Sequence, residues 1–141
     1  MTMNGESLLY RVGTLSPSVF YREPEAAMHW LARAFGFEIA LTVTDADGRL
    51  DHIEMAAGDG AITIAARWGA FSRSPLDIGG GNTQFLKLVL AGDLEDHFLR
   101  ATSAGAVVLQ PPGDQAYRQR TYRVADPEGH VWTFASNLDD N

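Results

Sequence analysis

Tyr122-Arg123-Val124-Ala125-Asp126-Pro127-Glu128-Gly129-His130-Val131-Trp132-Thr133-Phe134 reads as a strand, a tight turn and a second strand. Proline presets one turn angle, and glycine supplies the positive φ that closes the turn. An earlier segment, Met55-Ala56-Ala57-Gly58-Asp59-Gly60-Ala61-Ile62-Thr63-Ile64, has the same character. Two such hairpins in one short chain imply two copies of a single supersecondary unit.

The flanking sequence repeats with them. In the first half, a short strand around Val19-Phe20-Tyr21 leads to Glu23-Pro24-Glu25, where proline and carboxylates suit the first turn of a helix. Met28, Leu31 and Phe35 share one face of that helix, and Gly36 ends it. Strands follow over residues 37–44, 50–57 and 61–66, with a turn at Asp45-Ala46-Asp47-Gly48. In the second half, residues 84–90 form an apolar strand. Asp93 caps a helix that places Leu94, Phe98 and Ala101 on one face and closes at Gly105. Strands at 106–109, 118–124 and 130–135 complete the copy, with Pro111-Pro112-Gly113-Asp114 as a loop. Strand, helix and three strands thus occur twice. The connecting segment 67–82 is either a lid over a ligand or a plain connector.

Composition narrows the function classes. The chain has 141 residues, 45% of them hydrophobic and 21% charged, which suits one globular domain, 1–141. It has no cysteine, so disulfides, thiolate metal sites and cysteine nucleophiles are excluded. The net charge is −7 and Lys87 is the only lysine, a poor match to a nucleic-acid backbone. No apolar run is long enough to span a membrane, and the first residues lack the basic and apolar blocks of a signal peptide. A soluble, cytoplasmic protein is expected, with no nucleic-acid or membrane partner.

Four motif groups, in order, carry a resemblance to a known family. They are Glu23-Pro24-Glu25-Ala26-Ala27 with Ala34-Phe35-Gly36-Phe37; Asp51-His52-Ile53-Glu54-Met55 with Gly58-Asp59-Gly60; Gly92-Asp93-Leu94-Glu95 with Ala104-Gly105-Ala106; and Asp126-Pro127-Glu128-Gly129-His130-Val131-Trp132. Over residues 16–136 the chain resembles the vicinal oxygen chelate superfamily of glyoxalases, bleomycin-resistance proteins and ring-cleaving dioxygenases. The resemblance implies an α+β fold: tandem βαβββ modules, about 12–66 and 83–136, forming a curled mixed sheet around a cavity. It also implies a homodimer.

Catalytic members of that superfamily hold a divalent metal with His, Gln or Glu from the first and last strands of the modules. Counting seven back from the acidic residue before each helix gives Ser16 and Leu86. Counting four on from each turn glycine gives Ile64 and Thr133. None of these four side chains suits such a metal. The expectation is therefore a protein without metal or cofactor that binds a small molecule, a drug or a metabolite, as bleomycin-resistance proteins do. The alternative is a lyase, isomerase or dioxygenase of the same superfamily with a nonstandard metal or acid–base site. A third reading, a partner-binding module with a filled interior, predicts no cavity larger than a few waters.

Individual residues carry further expectations. His52 and Glu54 share one strand face, suited to a metal, to a base with its orienter, or to a hydrogen-bonded pair on a half-buried surface. Arg118, Arg120 and Tyr122 alternate on one face, where they would hold a carboxylate or phosphate or else pair with surface carboxylates. Trp68 and Phe71 suit stacking on a flat ligand, which the acidic overall field would favour as a partly cationic one. By the same resemblance the Thr133 face is expected to line the cavity, and His130, which alternates with Trp132 and Phe134, to sit on the packing or rim side.

Overall fold

The computed structural model describes residues 1–9 and 15–139. The expected start of the first module at residue 12 and the last two residues of the tail lie outside the described residues. The first module comprises strand β2 (Ser18–Phe20), helix α1 (Pro24–Phe35) and strands β3 (Glu38–Thr44), β4 (Leu50–Ala57) and β5 (Gly60–Ala65). The second comprises β6 (Leu86–Val89), α2 (Leu94–Ser103), β7 (Val107–Gln115), β8 (Gln119–Ala125) and β9 (Val131–Asn137). Between them lies a 3₁₀ turn, Pro75–Ile78. One strand was not anticipated: β1 (Thr2–Gly5) adds to the first module by pairing antiparallel with β3.

The strands form two mixed sheets, ordered β1-β3-β4-β5-β2 and β6-β9-β8-β7. In each, the first strand of the module returns parallel to the last, β2 on β5 and β6 on β9. The expected α+β architecture is present, one mixed sheet per module, with no closed barrel among the described residues. Proline does not end β7. Its Pro111 and Pro112 lie on an edge strand, where no neighbour on the outer side requires an N–H, and irregular pairing between Val108 and Gly113 absorbs them.

Helix α1 lies on the first sheet, α2 on the second, and the helices touch each other, so one core joins both modules. Its fully buried members come from every layer: Leu31 and Ala34 of α1, Ile53 and Met55 of β4, Ala101 of α2, Tyr122 and Val124 of β8, Trp132 and Phe134 of β9. Side chains at the helix–helix seam cap one another's helices. The Trp30 indole N–H donates to Ala104 O at 2.8 Å. Arg100 donates to Arg33 O near the end of α1 and to Ala32 O, which also accepts from the Gly36 N–H. Gly36 closes α1 at φ 76°, and an added Cβ there would lie 2.9 Å from the Arg100 guanidinium.

His97 of α2 ties three elements together. Its Nε2 lies 3.1 Å from Phe35 O, which can only accept, so Nε2 carries the proton. Nδ1 then accepts from the Tyr122 hydroxyl at 2.5 Å. Burial holds the imidazole below its ordinary pKa, and it stays neutral.

The turn that opens the hairpin β8–β9 locks the modules together. Asp126 is buried, and its Oδ1 accepts from the backbone N–H groups of Glu128 and His130. Its Oδ2 accepts from the Trp132 indole at 3.0 Å and from the Tyr21 hydroxyl of the first module at 2.5 Å. Burial pushes the Asp126 carboxyl above its ordinary pKa, with the donors pulling the other way. Glu128 reaches across as well. It accepts from the N–H groups of Arg22 and Glu23 just before α1, at 2.7 and 2.9 Å, and from the Ser74 hydroxyl at 2.6 Å. The Glu23 side chain at the N-cap makes no capping bond, and Glu128 satisfies the donors immediately ahead of α1.

Candidate functional site

Strand side chains alternate, so the residues between the core positions point away from the helices. On this far face of the first sheet, Ser18, Thr63 and Glu54 stand in one row, paired Ser18 with Thr63 and Thr63 with Glu54. On the second sheet the equivalent row is Lys87, Thr133 and Arg123. The two rows are related by the internal repeat: Thr63 matches Thr133, Ser18 matches Lys87, and Glu54 matches Arg123.

These rows correct the counts made from the sequence. Thr133 is in the row. Ile64 and Leu86 are not: Ile64 is fully buried beneath α1 and Leu86 packs on the core, so Thr63 and Lys87 hold the far-face positions. The turns explain the slip. The β4–β5 hairpin closes with the two residues Gly58-Asp59, whereas residues 126–130 separate β8 from β9. Counts from the last turn glycine therefore differ by one. Ser16 lies two residues before Ser18, with its hydroxyl donating to Ala61 O.

His52 and Glu54 are brought together, with Nε2 and Oε2 2.9 Å apart. Glu54 is only 2% exposed although it faces away from the helices, because the N-terminal segment covers it. The Ser7 hydroxyl donates to both carboxylate oxygens at 2.8 and 3.1 Å, and the Leu8 N–H donates to Oε1 at 2.8 Å. Burial alone would raise the Glu54 pKa. The hydrogen bonds from His52, Leu8 and Ser7 more than offset it and hold the carboxyl below its ordinary value.

The sign of that shift sets a pH dependence. A depressed folded-state pKa contributes stability above the ordinary Glu value of about 4.3. That stability is lost as pH falls through the lower folded value. The N-terminal segment is therefore expected to release in acid. Followed by NMR, the Leu8 amide should move from its bonded to its free shift below about pH 4. Glu54→Gln should abolish that step. A Leu8 signal constant through the same range would show that Glu54 does not hold the segment.

The far face of the second sheet is cationic, with Lys87 exposed, Arg123 half-buried and Thr133 between them only 4% exposed. The Arg123 Nε donates to the Thr133 hydroxyl at 2.9 Å, and the guanidinium lies 5.1 Å from the centre of the Phe85 ring. Lys87 donates to the Gln119 side chain and sits 4.8 Å from the centre of the Tyr117 ring. Phe85 is 52% and Tyr117 59% exposed.

The other sequence candidates are dispersed. Tyr122 is wholly buried on the helix side, bonded to His97, and cannot touch a ligand on the far face. Arg120 pairs with Glu95 of α2 and with Asp114, the surface-carboxylate reading. Arg118 is in the β7–β8 turn, at φ 66°, rather than in a strand. Trp68 packs edge-on against Phe20, at 4.8 Å between ring centres, and is half exposed. Phe71 is exposed at the mouth of a cavity of about 540 Å³ between β2, the central loop and the start of β9. His130, expected away from the cavity, lines this one and Thr133 does not, because the cavity opens beside the start of β9; the His130 ring lies against Tyr21 and Phe20 O. The cross-module roles of Asp126 and Glu128 were not singled out from the sequence, since Tyr21, Arg22, Glu23 and Ser74 are distant from them along the chain.

The two far-face rows carry Ser18, Thr63, Lys87 and Thr133, with Glu54 enclosed by neutral donors and His52. Among the described residues, no three His, Asp or Glu side chains are grouped to hold a metal. Two cations on the second row would also oppose a metal there. The donor set does not fit a divalent ion. No helix among the described residues is long and apolar enough to cross a membrane.

The pattern of the Glyoxalase/Bleomycin resistance protein/Dioxygenase superfamily matches residues 12–134. Among solved structures, TioX from Micromonospora sp. ML1 is 29% identical with a TM-score of 0.70, over 92% of this chain and 99% of that one. A glyoxalase/bleomycin resistance protein/dioxygenase family enzyme from Burkholderia phytofirmans PsJN shares the fold at 18% identity and a TM-score of 0.68, over 87% of this chain and 97% of that one. An uncharacterised protein of Mycobacterium bovis is 28% identical over 124 residues, 85% of this chain and 80% of its own length. With the tandem βαβββ modules and their parallel return strands in place, the chain belongs to the Glyoxalase/Bleomycin resistance protein/Dioxygenase superfamily.

Proposed function

We propose that this protein binds a small molecule, a drug or a metabolite, without using a metal, and that it does so as a homodimer. The observation that carries this reading is the pair of far-face rows, Ser18-Thr63-Glu54 and Lys87-Thr133-Arg123, whose hydroxyls and cations suit a small polar ligand better than a divalent metal. The cavity of about 540 Å³ beside the central loop supports it against a filled, purely structural interior, since ligand sites run from about 300 to 1,000 Å³. The test is a panel of flat aromatic compounds, anionic, neutral and cationic, followed by tryptophan fluorescence. Trp68 is half exposed beside Phe20, whereas Trp30 and Trp132 are buried. Saturable quenching or a spectral shift with one class of compound is expected. A panel without any saturable response removes the reading.

One observation favours the alternative, an acid–base lyase or isomerase. His52 and Glu54 form a base-and-orienter geometry at 2.9 Å. For that role the segment holding Ser7 and Leu8 must leave Glu54. A turnover abolished by His52→Ala would establish it, and one untouched by His52→Ala would end it.

A further inference from the structure

We infer that the far face of the second sheet is an anion site for a planar aromatic carboxylate. The carboxylate would lie across Thr133 between Lys87 and Arg123, and the ring would lie against Phe85 or Tyr117. The inference rests on the reading of the chain as a small-molecule binder, and adds the chemical class of the ligand and the side of the fold that takes it.

The geometry is that of the row. Lys87, Thr133 and Arg123 lie on three adjacent strands in direct register. Adjacent strands are about 4.8 Å apart, so the two cations flank the Thr133 hydroxyl with about 10 Å between their backbones. Neither has a carboxylate partner among the described residues: Arg123 meets Thr133 and Phe85, and Lys87 meets Gln119 and Tyr117. That is notable in a chain of 18 acidic residues, where Arg22 and Arg120 do pair with carboxylates. Their neutral partners fix the cations without cancelling them. Thr133 holds the guanidinium through Nε and leaves its terminal N–H groups for a two-point contact with a carboxylate. Phe85 and Tyr117 are exposed aromatic faces at each end of the row, available to stack on a ring.

The first sheet provides a contrast within the same chain. Its equivalent of Arg123 is Glu54, whose charge is already met by Ser7, the Leu8 N–H and His52. The internal repeat therefore has one row whose charge is met by the chain's own N-terminal segment and one row whose cations meet no carboxylate among the described residues. One ligand per chain is the stoichiometry this predicts. The acidic overall composition, which favours a cationic ligand, is overruled locally by these two cations.

The experiment is calorimetric titration of the full chain with three probes of one shape: 2-naphthoate, 2-naphthamide and 2-naphthylmethylammonium. Naphthoate is expected to bind at one site per chain, at least about tenfold more tightly than the amide, and more weakly as salt rises. Arg123→Gln and Lys87→Gln, both at accessible positions, should each weaken naphthoate about tenfold or more. Arg49→Gln, which removes an exposed cation between β3 and β4, should leave it unchanged. Naphthoate binding that is absent, or equal in the Arg123→Gln protein, overturns the inference. So does a preference for the ammonium probe, but a saturable ammonium site would leave the small-molecule reading standing. If a second copy of the chain covers this face instead, Arg123→Gln will convert a sedimenting dimer to monomer and naphthoate will find no saturable site. That outcome also overturns the inference.

Discussion

Asp126→Ala is expected to destabilise the protein by about 3–5 kcal/mol, a large share of the roughly 5–15 kcal/mol of a domain this size. The carboxylate accepts four hydrogen bonds in a site that is 3% exposed. Alanine leaves the Tyr21 hydroxyl and the Trp132 indole N–H without their acceptor, and each buried orphan costs about 1–3 kcal/mol. The Glu128 and His130 N–H groups lose the acceptor that shapes the turn. Asp126→Asn should cost less. Its oxygen can serve the two backbone donors and its amide can donate to Tyr21, but the Trp132 N–H then faces another donor. Tyr21→Phe, which removes one donor and leaves the carboxylate served by three, should cost about 1 kcal/mol. Urea unfolding of the three variants orders them. A loss below about 1 kcal/mol for Asp126→Ala would mean that water replaces the carboxylate and that the turn does not join the modules.

Phe35→Ala should be comparably severe, at about 3–5 kcal/mol. Phe35 is the last residue of α1 and 4% exposed. Its ring meets Trp30 and Phe37 of the first module at 5.2 and 5.5 Å, and Trp132 and Phe134 of the second at 5.5 and 4.6 Å. It also stacks on His97. Truncation opens a cavity lined by rigid rings, which collapse poorly around it, so the cost should fall at the upper end of the range for a large-to-small change. Because the ring bridges the modules, unfolding should also become broader, each half losing its hold on the other. Thermal unfolding followed by near-ultraviolet dichroism measures both. A sharp transition with a small shift in midpoint would show that the modules are joined elsewhere, through Asp126 and Glu128.

What could be read in the sequence was local. Pro24 and the glycine at position 36 bound α1, and Asp93 caps α2 by accepting from the Asp96 N–H at 3.0 Å. The order of the elements and the repeat followed from such signals, and with them the family. Contacts far apart in sequence were not legible. Glu128 serves the start of α1 from more than 100 residues away, and the covering of Glu54 by Ser7 depends on where the N-terminal segment crosses the sheet. Alternation placed Arg118, Arg120 and Tyr122 together but not the side they face. The buried Tyr122, under α2, decides that question against a ligand. Arg123 was passed over for the same reason. One register step separates it from Tyr122, and only the pairing with Thr133 places it on the far face.

The most direct test of the account is the metal content of untagged protein grown with added zinc, manganese, iron and nickel, measured by elemental mass spectrometry. The rows Ser18-Thr63-Glu54 and Lys87-Thr133-Arg123 predict far less than one ion of any of these metals per chain. One tightly held ion per chain, lost in His52→Ala, would contradict it and would make His52 and Glu54 the centre of an enzyme.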